Sequence, residues 1–291
     1  MSETGGVVVG IDGSGTAREA VKWAVREAVR RGVPLRIVYA DVFASAAART
    51  DAHQPEYSGT FRTEVRRLLT EAAEAAALER PAAAVRTAAV PGSPASVLMA
   101  ESRAAAVVVV GDRGLGGFTG LLAGSVATAV AAHAHTTTVV VRGSGAGNPT
   151  GPVIVGVDGS PQSDALLAHG FEQAAAHEVP LHVVHTWHLV GVHAGWLRAG
   201  LDAEQIRAGE DRLMAELLSG WSERHPDVEV HRFVERASPA AELLRRAAGA
   251  RLVVTGARGR GGFTGLLLGS TSQALIHHAP CPVLVARTPK G

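Results

Sequence analysis

Apolar residues along the chain recur in two rhythms that take turns. Residues 7–12, VVVGID, are a short apolar run closed by an Asp, as in a buried strand. Ala17, Ala20, Val21, Ala24, Val25 and Ala28 then repeat at three- and four-residue spacing, one face of a helix that Gly32 and Pro34 end. LRIVYAD at 35–41 predicts a second strand. Residues 61–79 predict a second helix, with Val65, Leu68, Leu69, Ala72 and Ala76 on one side. VRTAAV at 85–90 predicts a third strand, and Ser93 caps a short helix over SPASVLMAESR. AVVVVG at 106–111 is apolar throughout, as a strand covered on both faces should be. A helix follows Gly124, and TTTVVVR at 136–142 closes the series. Alternating strands and helices predict an α/β unit, a five-stranded parallel sheet with helices on both faces.

The series is then written again. VVVGIDGS at 7–14 returns as VIVGVDGS at 153–160, and VPLRIVYADV at 33–42 as VPLHVVHTWH at 179–188. SPASVLMAESRAA at 93–105 returns as SPAAELLRRAAGA at 238–250, and TTTVVVR at 136–142 as CPVLVAR at 281–287. The clearest echo is GDRGLGGFTGLLAGS at 111–125 against GARGRGGFTGLLLGS at 256–270. A repeat of this length predicts two copies of one domain. We place them at 1–143 and 152–291, with a small, polar, flexible linker at 144–151.

Composition narrows the function classes. With 46% hydrophobic and 19% charged residues the chain of 291 residues is globular, and with 4% aromatics its core must be Val, Ala and Leu. A net charge of +1 supplies no field that steers the chain to nucleic acid or to a membrane surface. The single Cys281 rules out an internal disulfide and fits a reducing compartment. The start MSETGG has neither a basic nor an apolar signal region, and no apolar run is long enough to span a bilayer. These features set the expectation of a cytoplasmic protein.

The duplicated glycine stretch is the main candidate for chemistry. Gly111 ends a strand, Gly114 follows, and Gly124-Ser125 opens a helix; Gly256, Gly259 and Gly269-Ser270 repeat the spacing. Glycine admits a ligand close to the main chain, and a helix N-terminus offers free N–H groups to an anion. Ser125 and Ser270 are expected to cap their helices and donate to a phosphate oxygen, with Arg113 and Arg258 supplying charge. A purely structural role, a tight loop packing a helix on the sheet, is the competing reading. Two nucleotide signatures fail. No Lys precedes a Ser or Thr as a phosphate-binding P-loop requires, and Gly13 and Gly15 lack the third glycine of the dinucleotide fingerprint.

The pattern G-x-x-G, nine residues, then Gly-Ser, with an Asp ending the first strand, resembles the universal stress protein family. It stands here as Gly111, Gly114, Gly124 and Ser125 with Asp12, and as Gly256, Gly259, Gly269 and Ser270 with Asp158. The resemblance spans nearly the whole chain. It implies two Rossmann-like domains of the adenine nucleotide alpha hydrolase type and membership of the ATP-binding subset. It further implies that Asp12 and Asp158 contact the nucleotide, and that Ala40 and Thr186 offer main-chain groups to adenine. Gly111, Arg113 and Gly114, with Gly256, Arg258 and Gly259, would line ribose and phosphates. Gly124, Ser125 and Val126, with Gly269, Ser270 and Thr271, would bind phosphates. A carboxylate repels a triphosphate, so Asp12 must meet a ribose hydroxyl or a Mg²⁺; otherwise it only caps its turn. The cofactor expected is ATP with Mg²⁺.

Other residues give less. His182 and His185 point to opposite faces of one strand and make no ligand set. His133, His135, His277 and His278 stand at helix ends, where a cation suits the dipole. Cys281 reads as a buried or inert thiol, and Trp187, Trp196 and Trp221 as core or as a partner surface. No base or nucleophile set marks a catalytic residue. Three functions stay open: a nucleotide-dependent regulator in the bacterial stress response, a slow ATPase or adenylyl-transfer enzyme, and a nucleotide-free scaffold. The closing strands are expected to leave sheet edges open to pairing; the resemblance implies that they pair the two domains, and the chain is expected to form a homodimer and meet a protein partner.

Overall fold

The computed structural model describes residues 5–44, 55–114, 124–142, 147–187, 203–259 and 267–287. The chain divides into two compact units, the first within Met1–Ala146 and the second within Gly147–Thr288.

The first unit runs β1 (Val7–Ile11), α1 (Gly15–Arg31), β2 (Leu35–Asp41), α2 (Pro55–Glu79), β3 (Val85–Pro91), α3 (Pro94–Glu101), β4 (Val107–Gly111), α4 (Ser125–His133) and β5 (Thr137–Val141). Its strands are all parallel, in the order β3-β2-β1-β4-β5. Val7 pairs with Leu35 on one side and with Val107 on the other. Strand order therefore reverses beside β1, and the carboxyl ends of β1 and β4 border the crevice where ligands sit in such sheets.

Packing follows the sequence pattern. Ala17, Ala20, Val21, Ala24, Val25 and Ala28 of α1 are all buried, and most of them are Ala, which lets the helix approach β1 closely. Val65, Leu69 and Ala76 bury one face of α2, while Leu68 and Ala72 stay half-buried beside them. This helix begins at Pro55, before the expected 61; Pro suits a first helical position because its missing N–H is not needed there. The Ser93 hydroxyl accepts from Ser96 N at 3.3 Å, as a helix cap should.

Glu27 is a buried carboxylate, only 4% exposed, near the end of α1. Arg30 Nη2 lies 2.6 Å and Arg31 Nε 2.5 Å from its Oε1. Burial alone would raise its pKa, but hydrogen bonds and charge from Arg30 and Arg31 outweigh burial and hold it at about 2.

The second unit repeats the plan as β6 (Val153–Val157), α5 (Gln162–His177), β7 (Leu181–Trp187), α6 (Ala203–Leu218), α7 (Trp221–Arg224), β8 (Val230–Arg236), α8 (Pro239–Ala247), β9 (Leu252–Gly256), α9 (Ser270–His278) and β10 (Val283–Ala286). Its parallel order is β8-β7-β6-β9-β10. Trp187 and Trp221 are buried, and Cys281 with them. The Trp221 ring stacks on Phe171, centroids 5.3 Å apart, and its Nε1–H donates to Asp164 Oδ1 at 3.0 Å. Trp196 lies outside the described residues. The later part of the expected flexible linker is fastened instead: Asn148 donates from its main chain to Ala250 O at 3.0 Å and from its side chain to Gly249 O at 3.2 Å. Small polar residues left that docking invisible in the sequence.

Candidate functional site

In the first unit the chain leaves β1 through Asp12 and turns at Gly13, whose φ of 92° is natural only for glycine. The turn has a built-in brace, since Oδ1 of Asp12 accepts from Ser14 N at 2.9 Å. The Ser14 hydroxyl then caps α1 by accepting from Ala17 N at 3.2 Å. From this first turn Thr16 Oγ1 donates to Arg113 O at 2.5 Å, and Ser14 Oγ lies 3.3 Å from the same oxygen. The turn after β1 is thus stitched to the loop after β4.

That loop is held just as firmly at its described ends. Gly124 N donates to Asp112 O at 2.6 Å, which returns the start of α4 to the end of β4. A side-chain carbon at Gly111 would stand 2.8 Å from Thr16 Oγ1, and one at Gly114 would collide with Asp12 Oδ2. The carboxylate therefore divides its work: Oδ1 braces the turn and Oδ2 faces the glycine loop. Asp12, Gly111, Arg113, Gly114 and Gly124 come together at one place, with Ser125 and Val126 next in line.

One expectation needs correction. Ser125 and Ser270 do not cap their helices; Gly124 and Gly269 hold the cap positions, without a side-chain cap bond. The serines are the first helical residues and are exposed. A serine one place inside the helix start no longer reaches the N–H groups a cap serves. The first-turn N–H groups of α4 and α9 have no acceptor within their helices and face out from Gly124 and Gly269.

The second unit builds the same frame from other side chains. Asp158 Oδ1 accepts from Ser160 N at 3.0 Å, and Gly159 turns with φ 71°. Ser163 Oγ accepts from Gly159 N at 3.1 Å and lies 3.4 Å from Asp158 Oδ1. A carbon at Gly259 would stand 3.1 Å from Asp158 Oδ2, looser than at Gly114. Gly269 N donates to Ala257 O at 2.7 Å. A carbon at Gly256 would stand 2.9 Å from Arg258 O, and Arg258 and Gly259 are exposed. Thr271 follows Ser270 in the first turn of α9.

Ala40 and Thr186 lie one strand over, near the ends of β2 and β7, pairing with Val90 and Glu235. Both are half-buried. Just before them the units diverge. Tyr39 pairs with Ile11, and its hydroxyl is pushed up by burial and by the charges of Asp41, Asp12 and Glu64. Its counterpart His185 is buried, with Nδ1 2.9 Å from Val157 O and Nε2 2.7 Å from Glu210 Oε2. Glu210 occupies on α6 the buried position that Val65 occupies on α2.

Charge differs as well. Asp112, 1% exposed, lies 3.4 Å from Arg113 Nε and 3.6 Å from Arg142 Nη2 through its Oδ2. Ala257 takes its place in the second unit, where Arg287 is pulled down by burial and by the nearby Arg258 charge. Sequence reasoning missed Thr16, Asp112, Arg142 and the His185–Glu210 pair. Only the polar run GSGT after β1 signalled any of them.

A model of the universal stress protein family matches residues 5–142 and 150–287. The chain belongs to the universal stress protein family. It is 37% identical over 291 residues to a universal stress protein of Mycobacterium tuberculosis, covering 97% of this chain and 96% of that one. A Mycolicibacterium smegmatis universal stress protein is also 37% identical, with 97% of each chain covered. A solved universal stress protein structure from Archaeoglobus fulgidus shares the fold, with a TM-score of 0.68 at 21% identity, covering 98% of this chain and 99% of that one. Among the described residues no helix is long and apolar enough to cross a membrane, and no group of three or more His, Cys, Asp or Glu residues is placed to hold a metal ion.

Proposed function

We propose that this universal stress protein binds ATP in each unit and acts in the cytoplasm as a nucleotide-dependent regulator of a stress response. One observation carries the reading: in both units the second oxygen of the strand-end carboxylate faces a glycine whose missing side chain leaves it room. Two sides of the cradle suit a nucleotide. The Asp oxygen accepts a ribose hydroxyl or joins phosphate oxygens around a Mg²⁺, which takes one or two carboxylates and keeps several waters. The first-turn N–H groups of α4 and α9 meet phosphate oxygens, and Arg113 and Arg258 balance their charge. Gly114 and Gly259 leave room for the carboxylate oxygens, and Gly111, Gly124 and Gly256 let the loop close on neighbouring protein atoms beside the site. Ala40 and Thr186 offer main-chain groups to the base.

The regulator reading is favoured over an enzyme by the chemistry of the described site. It offers a carboxylate, backbone donors and arginines, and the imidazole beside Asp158, that of His185, is engaged by Val157 O and Glu210 Oε2 rather than turned to a nucleophile. Bound nucleotide would bias a surface that a partner reads, and self-association as a homodimer belongs to the same proposal. Titration of stripped protein with Mg²⁺-ATP, followed by phosphate release, tests it. Stoichiometric binding with turnover far below the about 10 per second typical of enzymes supports a regulator. Turnover near that rate supports an ATPase, and no binding leaves a scaffold.

A further inference from the structure

The two units present unlike walls at the end of the second strand. In the first, Asp41 Oδ1 accepts from Ala44 N at 2.8 Å and fixes the short helical turn that follows β2. This turn carries Phe43, which is 56% exposed although it is a large apolar side chain. The ring is not loose. It meets Phe61 of α2 edge to face, centroids 4.8 Å apart at 69°. Phe61 in turn lies 6.4 Å from the Tyr39 ring, and the Tyr39 hydroxyl feels the Asp12 carboxylate. A chain of three aromatic rings therefore leads from the glycine cradle to an exposed ring. An edge-to-face contact leaves ring surface open, which is what a planar ligand needs.

In the second unit every link is replaced. His185 is engaged by Val157 O and Glu210, and Ile206 stands on α6 where Phe61 stands on α2. Where Phe43 stands two residues after β2, the sequence has Leu189 two residues after β7. His185 is a buried ring, and Ile206 and Leu189 have no π face at all.

We propose that the first unit holds the purine base of its nucleotide by stacking on Phe43, a ring whose counterpart in the sequence of the second unit is Leu189. The inference rests on the nucleotide-binding reading above. Its location favours a base over a protein partner: the rings join the same strand ends that carry Asp12 and Ala40, where a nucleotide in the cradle must place its base. A base presents a π face whatever its hydrogen-bonding edge, so stacking adds affinity without strict base choice.

Titration calorimetry of full-length, nucleotide-stripped protein with Mg²⁺-ATP, and separately with tripolyphosphate, tests it. In Phe43→Leu, which keeps an apolar side chain and loses the π face, one of two ATP sites should weaken by about tenfold, in the range stacking provides. Phe43→Tyr should restore it. Tripolyphosphate, which has no base, should bind all three proteins alike. Unchanged ATP affinity at both sites in Phe43→Leu overturns the inference and leaves nucleotide binding standing. Equal weakening of ATP and tripolyphosphate in Phe43→Leu also overturns it, by showing a disturbed cradle. Absence of ATP binding in the unaltered protein overturns both.

Discussion

Oδ2 of Asp12 faces Gly114 so closely that no side-chain carbon fits between them. The matching pair, Asp158 and Gly259, leaves 3.1 Å to such a carbon, a contact that a shift of a few tenths of an ångström relieves. Gly114→Ala must therefore push the carboxylate off its brace or open the loop, and Gly259→Ala need not. Overpacking of this kind costs about 1–3 kcal/mol. Calorimetry with Mg²⁺-ATP should show one site lost or weakened at least about tenfold in Gly114→Ala, and a smaller change in Gly259→Ala. Equal effects would contradict the geometry.

The His185–Glu210 pair predicts a rescue. Glu210→Val alone leaves a buried imidazole nitrogen without its Glu210 partner, and a buried polar group left unsatisfied costs about 1–3 kcal/mol. Adding His185→Tyr restores the Tyr–Val combination of the first unit and should recover most of that loss. Denaturant unfolding followed by tryptophan fluorescence in a Trp23→Phe background, which leaves the signal to the second unit, makes the comparison. A double variant no more stable than the single one would count against the pair as the cause.

Glu27 predicts a loss of stability in acid. Its folded pKa of about 2 lies below the ordinary 4.5, so its contribution is fully present above 4.5 and fades as pH falls toward 2. The difference corresponds to about 3 kcal/mol. Glu27→Gln should be less stable than the native protein by about that amount at neutral pH, with the two curves converging in acid. Parallel curves across the whole range would show that Arg30 and Arg31 do not hold the carboxylate as described.

The sequence made the repeat and the sheet legible for a physical reason. Runs such as VVVV at 107–110, buried on both faces, tolerate only apolar residues, and the Ala-Val stripe of α1 has to match the sheet it covers. Asp12, Gly114 and Gly124 were legible because a turn and a close approach restrict which residues fit. What stayed hidden were contacts between elements distant in sequence. Nothing in GSGT says that Thr16 reaches the carbonyl of Arg113, nor in AGED that Glu210 meets His185. The serine caps were misplaced by one residue, because Gly-Ser reads equally well as cap-then-helix or as loop-then-cap.

The most direct test of the account is the nucleotide that the protein carries. Protein purified without added ATP is denatured and its supernatant resolved by ion exchange, beside Asp12→Ala, Asp158→Ala and the double variant. The account predicts close to two ATP per chain, one lost in each single variant and both in the double. Purified protein that carries no nucleotide, and takes up none when ATP is supplied, would contradict it and leave the glycine loops a packing device.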